Sequence, residues 1–384
     1  MNSKGNLDLL VIFNAQVSGK SMGGGDKIVL KTVKGLNKRF NVAFAGCSEG
    51  EEMALHELTD SHFIHLGKFE FKRLGLLLSY ISRIVTSPYF IFKSVPSGVA
   101  SIWSASDFLP DTLPAIVYKL RNRSTKWIMS MFLKARNPFK KEVPLNINTF
   151  LFFLSQRISL LFAKYLAHTI LVLSIDDILF LTGLGINKEK IQKFSGGVDI
   201  EEIKAVSNKT TQYDAVFVGR FHYQKGIEDL VYVWKKVSDF QTNAKLAVIG
   251  WGEIDIKKLF DQAGVPEKNY KILGFLDGID KYKVMRSSNV LLFPSSFESW
   301  GVVIAEGIAS DLPVVCYDIP VVKENFTHGV KSVPSFDRDK FSDATISLLQ
   351  NPQERKRIVE EAVEFSKTLG WEFDVQLLTS IISS

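Results

Sequence analysis

The chain is poor in cysteine: only Cys47 and Cys316 occur, far apart and outside any paired spacing. That argues against a disulfide framework and against a thiolate zinc or redox motif, and it favours a reducing compartment. Histidine is scarce as well, and the six residues, His56, His62 and His65 among them, lack the i, i+4 pairing or carboxylate spacing of a metal site. No repeat or low-complexity tract stands out. An uninterrupted apolar run long enough for a membrane is missing too. Thr149 to Ile175 has the length, but Arg157, Lys164 and His168 break it. At 100° per residue these three fall within roughly 40° of one another, so the segment reads as an amphipathic helix with one polar stripe. Packing on a domain core is the first reading and peripheral membrane attachment the second. Phe69 to Lys93, punctuated by Lys72, Arg73, Arg83 and Lys93, reads in the same way. The N-terminal run Leu9–Phe13 lacks the length and cleavage site of a signal peptide and reads as a buried first strand.

What is present is an ordinary globular composition, 46% hydrophobic and 23% charged with a mean hydropathy of +0.08, over 384 residues. That length exceeds one typical core and predicts two domains. Short β-branched runs alternate with helix-length segments throughout, the pattern of parallel strands joined by crossovers. Strands are expected near Leu7–Phe13, Asn41–Ala45, Val99–Trp103, Trp127–Met131 and Thr169–Leu173. A second cycle follows at Ala215–Val218, Leu246–Ile249, Tyr270–Leu273, Val290–Phe293 and Val314–Cys316. The polar stretch Glu201–Gln212, with Ser207, Asn208, Lys209, Thr210 and Thr211, reads as a linker. The expected domains are therefore 1–200 and 201–370, followed by a helix over 371–384 that could return to the first. Charge is unevenly divided, with 25 Lys and Arg against 15 Asp and Glu in residues 1–199. Between Thr112 and Lys141 there are eight basic residues, including Lys119, Arg121, Arg123, Arg136, Lys140 and Lys141, and no acid. This suits a phosphorylated acceptor, an anionic membrane surface or nucleic acid, and equally a solvated face.

The chemistry-bearing residues cluster in the second cycle. Val218-Gly219-Arg220 closes a strand and leads through His222 to Lys225-Gly226 at the start of a helix, placing two cations where a diphosphate would sit. Val290–Phe293 and the turn Pro294-Ser295-Ser296 lead into Phe297-Glu298-Ser299-Trp300-Gly301-Val302, with Glu306 on the helix that follows. A loop leaving a strand's carboxyl end and the next helix N-terminus form the usual cradle for a phosphorylated ligand.

Gly219-Arg220 with Lys225-Gly226, Glu298 and Glu306 separated by seven residues, and Leu312-Pro313-Val314-Val315 stand in the order and separation of a known family. The chain resembles the retaining glycosyltransferases of family 4. Gly23-Gly24-Gly25-Asp26, Gly197-Val198-Asp199 and Gly274-Phe275-Leu276 extend the likeness over nearly the whole sequence, with Asp26 where the family usually has Glu. The resemblance implies a GT-B α/β fold: two facing Rossmann-like, doubly wound domains with an inter-domain cleft, the first for the acceptor and the second for a nucleotide sugar. It implies that Arg220 and Lys225 hold the donor diphosphate, assisted by the amides of Gly24, Gly301 and Val302. Glu306 would take the ribose hydroxyls, Glu298 the donor sugar, and Phe275 and Leu276 would lie beside the base. The donor would be a UDP- or GDP-sugar, with no cofactor and no metal. The acceptor is left open between a glycan, a lipid-linked saccharide in envelope or glycoconjugate synthesis, and a soluble small metabolite. A location in the cytoplasm, or peripheral at the cytoplasmic membrane face, goes with it.

Other readings are weaker. Asp337-Arg338-Asp339 has the form of a metal-diphosphate motif but opens an amphipathic helix, where acids serve as caps. Paired Glu298 and Glu306 could suggest hydrolase carboxylates, yet the neighbouring cations favour phosphate. Nucleic-acid binding lacks a recognition helix, stacking motif or zinc framework. A non-catalytic nucleotide-sugar-binding protein of the same fold stays open, and no general base is assigned, Ser130-Met131-Phe132 lying where relatives carry a histidine.

Overall fold

Leu9–Phe13 (β1) is a run of five apolar residues with every one buried, as expected of a strand covered on both faces. The computed structural model describes residues 7–16, 23–59, 61–67, 71–135, 137–139, 147–207 and 210–384. β1 is an interior strand of a parallel sheet with Val42–Gly46 (β2), His62–His65 (β3), Ser101–Ser104 (β4), Lys126–Ser130 (β5), Thr169–Val172 (β6) and Ile191–Lys193 (β7). Their order is β3-β2-β1-β4-β5-β6-β7. Trp103 and Trp127 fill its interior, each satisfying its indole N–H across the strands: Trp103 donates to Ser130 Oγ at 2.9 Å and Trp127 to Ser104 Oγ at 2.6 Å.

A second parallel sheet contains Tyr213–Val218 (β8), Leu246–Ile249 (β9), Tyr270–Gly274 (β10), Ser288–Phe293 (β11), Val314–Tyr317 (β12) and Val330–Val333 (β13). Its order, β10-β9-β8-β11-β12-β13, repeats the pattern of the first. In both sheets the winding reverses beside the first strand, between β1 and β4 and between β8 and β11. Loops leaving the two strands at such a switch point diverge and leave a crevice at their carboxyl ends.

The chain forms two units by its contacts: one runs to Ser195 and includes Trp371–Ser384, the other is Gly196–Gly370. The closing helix Glu372–Ser383 is tied into the first unit. Val375 lies so close to Gly35 that a Cβ there would come within 2.4 Å of it. Lys126 Nζ donates to Ile381 O at 3.0 Å, and buried Asp374 accepts from Ser195 N at 2.8 Å.

Three readings of the sequence need correction. Glu201–Gln212 is not simply a linker, since Ile200–Ala205 forms a helix that packs on the helices Gly278–Met285 and Val302–Ala309; Asn208 and Lys209 lie outside the described residues. Thr149–Ile175 is not one helix: Ile147–Leu166 ends before His168, and Thr169 begins β6. Its charged residues also turn inward, Lys164 donating to Leu184 O at 3.2 Å and Arg157 lying 4.9 Å from the Phe153 ring centroid and 5.0 Å from that of Phe180. Finally β3, β7 and β13 were not expected; all three are short, and β3 and β13 carry exposed or half-exposed polar residues. Of the basic run, Arg136, Lys140 and Lys141 fall outside the described residues.

Candidate active site

At the switch point of the second sheet, the loops leaving β8 and β11 are fastened together. Ser296 N donates to Gln224 O at 2.9 Å, and Gly226, at φ 66°, lies against the Pro294 carbonyl, where a Cβ would approach to 2.0 Å. Only glycine fits there. Gly226 opens the helix Ile227–Phe240, preceded by a short turn of 3-10 helix at Tyr223–Lys225.

Across this junction Lys225 Nζ donates to Glu298 Oε1 at 2.5 Å, with both side chains largely buried. The structure thus unites two residues that stand 73 positions apart. Arg220 is exposed, and its guanidinium has no hydrogen bond or ion pair among the described residues. Gly301 caps the helix Val302–Ala309 at φ 98°; a Cβ there would stand 2.9 Å from the Phe326 ring. The first amides of that helix have no intrahelical acceptor and carry its positive dipole end. A guanidinium, an ammonium and a helix N-terminus therefore all belong to the two loops of the switch point.

Glu306, one turn into the helix, is only 3% exposed. Lys281 of the helix Gly278–Met285 donates to its Oε1 at 2.6 Å and to Asp277 Oδ1 at 3.2 Å, and Tyr282 OH donates to the same Glu306 oxygen at 3.4 Å. Burial pulls the Lys281 ammonium down, but Glu306 and Asp277 outweigh it and hold its pKa above the ordinary lysine value. Burial, followed by the charges of Glu306, Asp199, Glu202 and Asp277, raises the Tyr282 hydroxyl far above its normal range. Sequence reasoning missed Lys281 because an acid and a lysine four apart on a helix look like any surface pair. Phe275 and half-exposed Leu276 follow β10 at the same edge of the sheet. Exposed Trp251, just beyond β9 on that edge, was also missed.

Gly24 belongs to the first unit, in the first turn of the helix Gly24–Leu36 at the end of β1. Asp26 accepts from Gly23 N at 2.9 Å and from Gln16 Nε2 at 3.2 Å, so it caps this helix. Burial raises its pKa despite those bonds. At the same switch point, beyond β4, two more carboxyls are buried. Asp111 accepts from Asn14 N at 2.6 Å and Ser106 Oγ at 2.5 Å, and Asp107 accepts from Gln156 Nε2 at 2.5 Å. Burial pushes both up to about 7 against the lowering effect of these bonds. The other acidic motif is structural: Asp337 accepts from Lys340 N at 2.9 Å as the helix N-cap, and Asp339 pairs with Lys236. Among the described residues no cluster of three His, Cys, Asp or Glu side chains could hold a metal.

Comparison with known proteins bears on this arrangement. Residues 199–365 match the family model described as glycosyl transferases group 1. An uncharacterized glycosyltransferase of Methanocaldococcus jannaschii is 36% identical over 120 residues, 31% of this chain and 30% of the relative. A phosphatidyl-myo-inositol mannosyltransferase of Mycobacterium leprae is 30% identical over 160 residues, 41% of this chain and 42% of the relative. The matches thus span well under half the length of these relatives. Among solved structures, Anabaena HepE in complex with UDP and glucose superposes with a TM-score of 0.72 at 14% identity, covering 99% of this chain and 100% of that one. The fold is GT-B.

Proposed function

We propose that this chain is a glycosyltransferase of the family 4 type, which moves a sugar from a nucleotide diphosphate donor to an acceptor hydroxyl with retention of configuration. The observation that carries the reading is the Lys225–Glu298 pair at the β8/β11 switch point, beside the unpaired Arg220 guanidinium and the glycine-led helix N-terminus. The group 1 match over the same unit and the glycosyltransferase names of the relatives support it. Arg220, Lys225 and the amides of Gly301 and Val302 bind the diphosphate. Glu306 accepts from the ribose hydroxyls, Glu298 from the donor sugar, and Phe275 and Leu276 flank the base. Lys225 exchanges its Glu298 contact for phosphate oxygens as the donor enters, which frees that carboxylate for sugar hydroxyls. In the transfer, the bond from the anomeric carbon to the phosphate oxygen breaks and a bond to the acceptor oxygen forms on the same face. The acceptor proton passes to the departing diphosphate, whose growing charge the two cations stabilise.

UDP is the first donor nucleotide to test, because HepE was solved with it. A lipid-linked saccharide or glycan met at a membrane face is the acceptor class favoured by the phosphatidyl-myo-inositol mannosyltransferase likeness. Lys225→Ala and Glu306→Gln should each lower turnover by about a hundredfold or more, with unchanged circular dichroism. Glutamine keeps an acceptor beside Lys281. Wild-type rates in both variants would refute the assignment. Calorimetric titration with a panel of nucleotide sugars, followed by product measurement, separates transfer from binding alone.

A further inference from the structure

Two helices of the first unit are amphipathic with the wrong side outward. In the helix Phe71–Ser94, the buried line is Ser79, Arg83, Ser87 and Ile91, while Leu78, Ile81, Val85, Tyr89 and Phe92 are exposed. Spacings of three and four residues make the exposed set one continuous apolar stripe, with Val85 69% accessible. The helix Ile147–Leu166 repeats the inversion: Ser155, Gln156, Ser159 and Ala163 are buried, and Phe150, Leu154, Leu161 and Tyr165 are exposed, Tyr165 at 71%. The two stripes belong to one surface. Both helices pack on the helix Leu109–Arg121 between them, and Tyr80 OH of one meets Ser155 Oγ of the other at 2.7 Å.

The stretch of chain that carries both stripes is strongly basic. From Phe71 to Ile175 the sequence contains fourteen Lys and Arg but only Asp107, Asp111 and Glu142 as acids. The two aspartates are buried, and Glu142 lies outside the described residues. Cations border the first stripe directly: the Arg121 guanidinium lies 4.2 Å from the Phe92 ring centroid, and Lys93 lies 5.7 Å from that of Tyr89. Aromatic rings with a cation at the rim suit an interface between hydrocarbon and anionic headgroups. A second copy of this chain would bring two like-charged faces together, which argues against a self-interface. No helix among the described residues is long and apolar enough to cross a membrane.

We propose that this double stripe docks the protein flat on an anionic lipid bilayer, the apolar side chains entering the headgroup boundary and the surrounding Lys and Arg pairing with lipid phosphates. The proposal rests on the peripheral-attachment part of the functional reading. It is tested without donor or turnover, so either can fail alone. The full-length protein is floated with phosphatidylcholine vesicles, with and without phosphatidylglycerol, at low and high salt. It should float with the anionic vesicles, and less so at high salt. Val85→Glu with Tyr89→Glu, or Leu161→Glu with Tyr165→Glu, should weaken binding at least about tenfold. Phe240→Glu, an exposed aromatic in the second unit, should leave it unchanged. Melting temperature checks that each variant folds. Failure of the wild type to float, or undiminished flotation of both folded double variants, would overturn the proposal. So would a dimer in sedimentation that the same substitutions dissolve while vesicles stay unbound.

Discussion

Glu306 shows how a buried pair can hold a carboxylate in place within the candidate site. Glu306 is 3% exposed, and Lys281 lies 2.6 Å from it as the cation that offsets its desolvation. Because the folded pKa of Lys281 is raised, its contribution is fully present below the ordinary lysine value and is lost only as pH climbs through the higher folded one. The pair is therefore intact throughout the neutral range. Lys281→Met should cost about 3–5 kcal/mol near neutral pH by leaving Glu306 without its cation. Thermal melts of both proteins check this, and equal melting temperatures would mean that the pair contributes little. Donor affinity should fall in parallel, since Lys281 no longer holds the Glu306 carboxylate in place. Gly301 is a second such position. Alanine there must adopt φ 98° and push against Phe326, so Gly301→Ala should cost about 1–3 kcal/mol and weaken nucleotide binding, read by denaturant unfolding and calorimetry.

Among whole elements, the loop after β4 concentrates titratable groups that the proposed transfer does not use. Asp107 and Asp111 are raised to about 7, so their contribution is fully present below the unfolded aspartate value and is lost as pH rises through about 7. The melting temperature should consequently decline from about pH 4 to pH 7, and Asp107→Asn with Asp111→Asn should flatten that decline. An unchanged slope in the double variant would place the effect elsewhere. Elements of both units also show what sequence pattern can convey. β1, β6 and β9 were legible because continuous burial leaves apolar runs. Edge strands β3 and β13 were not, since an edge needs less apolar cover and β13 is half Lys and Ser. The helical character of Phe71–Ser94 and Ile147–Leu166 was legible from periodicity, but which face looks outward was not. Periodicity fixes the angle between stripes; it takes Lys164 reaching the Leu184 carbonyl to show that the polar side turns in. At the candidate site, Arg220, Lys225, Glu298 and Glu306 are singled out by their order along the chain, and the structure pairs Lys225 with Glu298. Lys281 and Trp251 became visible only once the sheet set them at the same edge.

The path of the chain through the whole molecule ties its last segment to its first unit. After Gly370 the sequence returns to that unit, where the helix Glu372–Ser383 buries Leu378, Ile381 and Ile382, and Val375 closes over Gly35. Asp374 is fully buried and accepts from the Ser195 amide and hydroxyl, while Lys126 of β5 donates to the Ile381 carbonyl. Each large apolar side chain lost from such a position removes about 1.5–3 kcal/mol, and Ser195 N and Lys126 lose acceptors as well. A chain ending at Gly370 should therefore lose stability in residues up to Ser195 while leaving the second sheet and its switch point whole. Limited proteolysis should cut the shortened protein within the first unit at protease levels that spare the full chain. Saturating UDP should still protect Gly196–Gly370, by about 2.7 kcal/mol at a hundredfold excess over its dissociation constant. Equal resistance in both chains would mean that the terminal helix contributes little. Loss of UDP protection together with first-unit stability would mean instead that the two units unfold as one cooperative body.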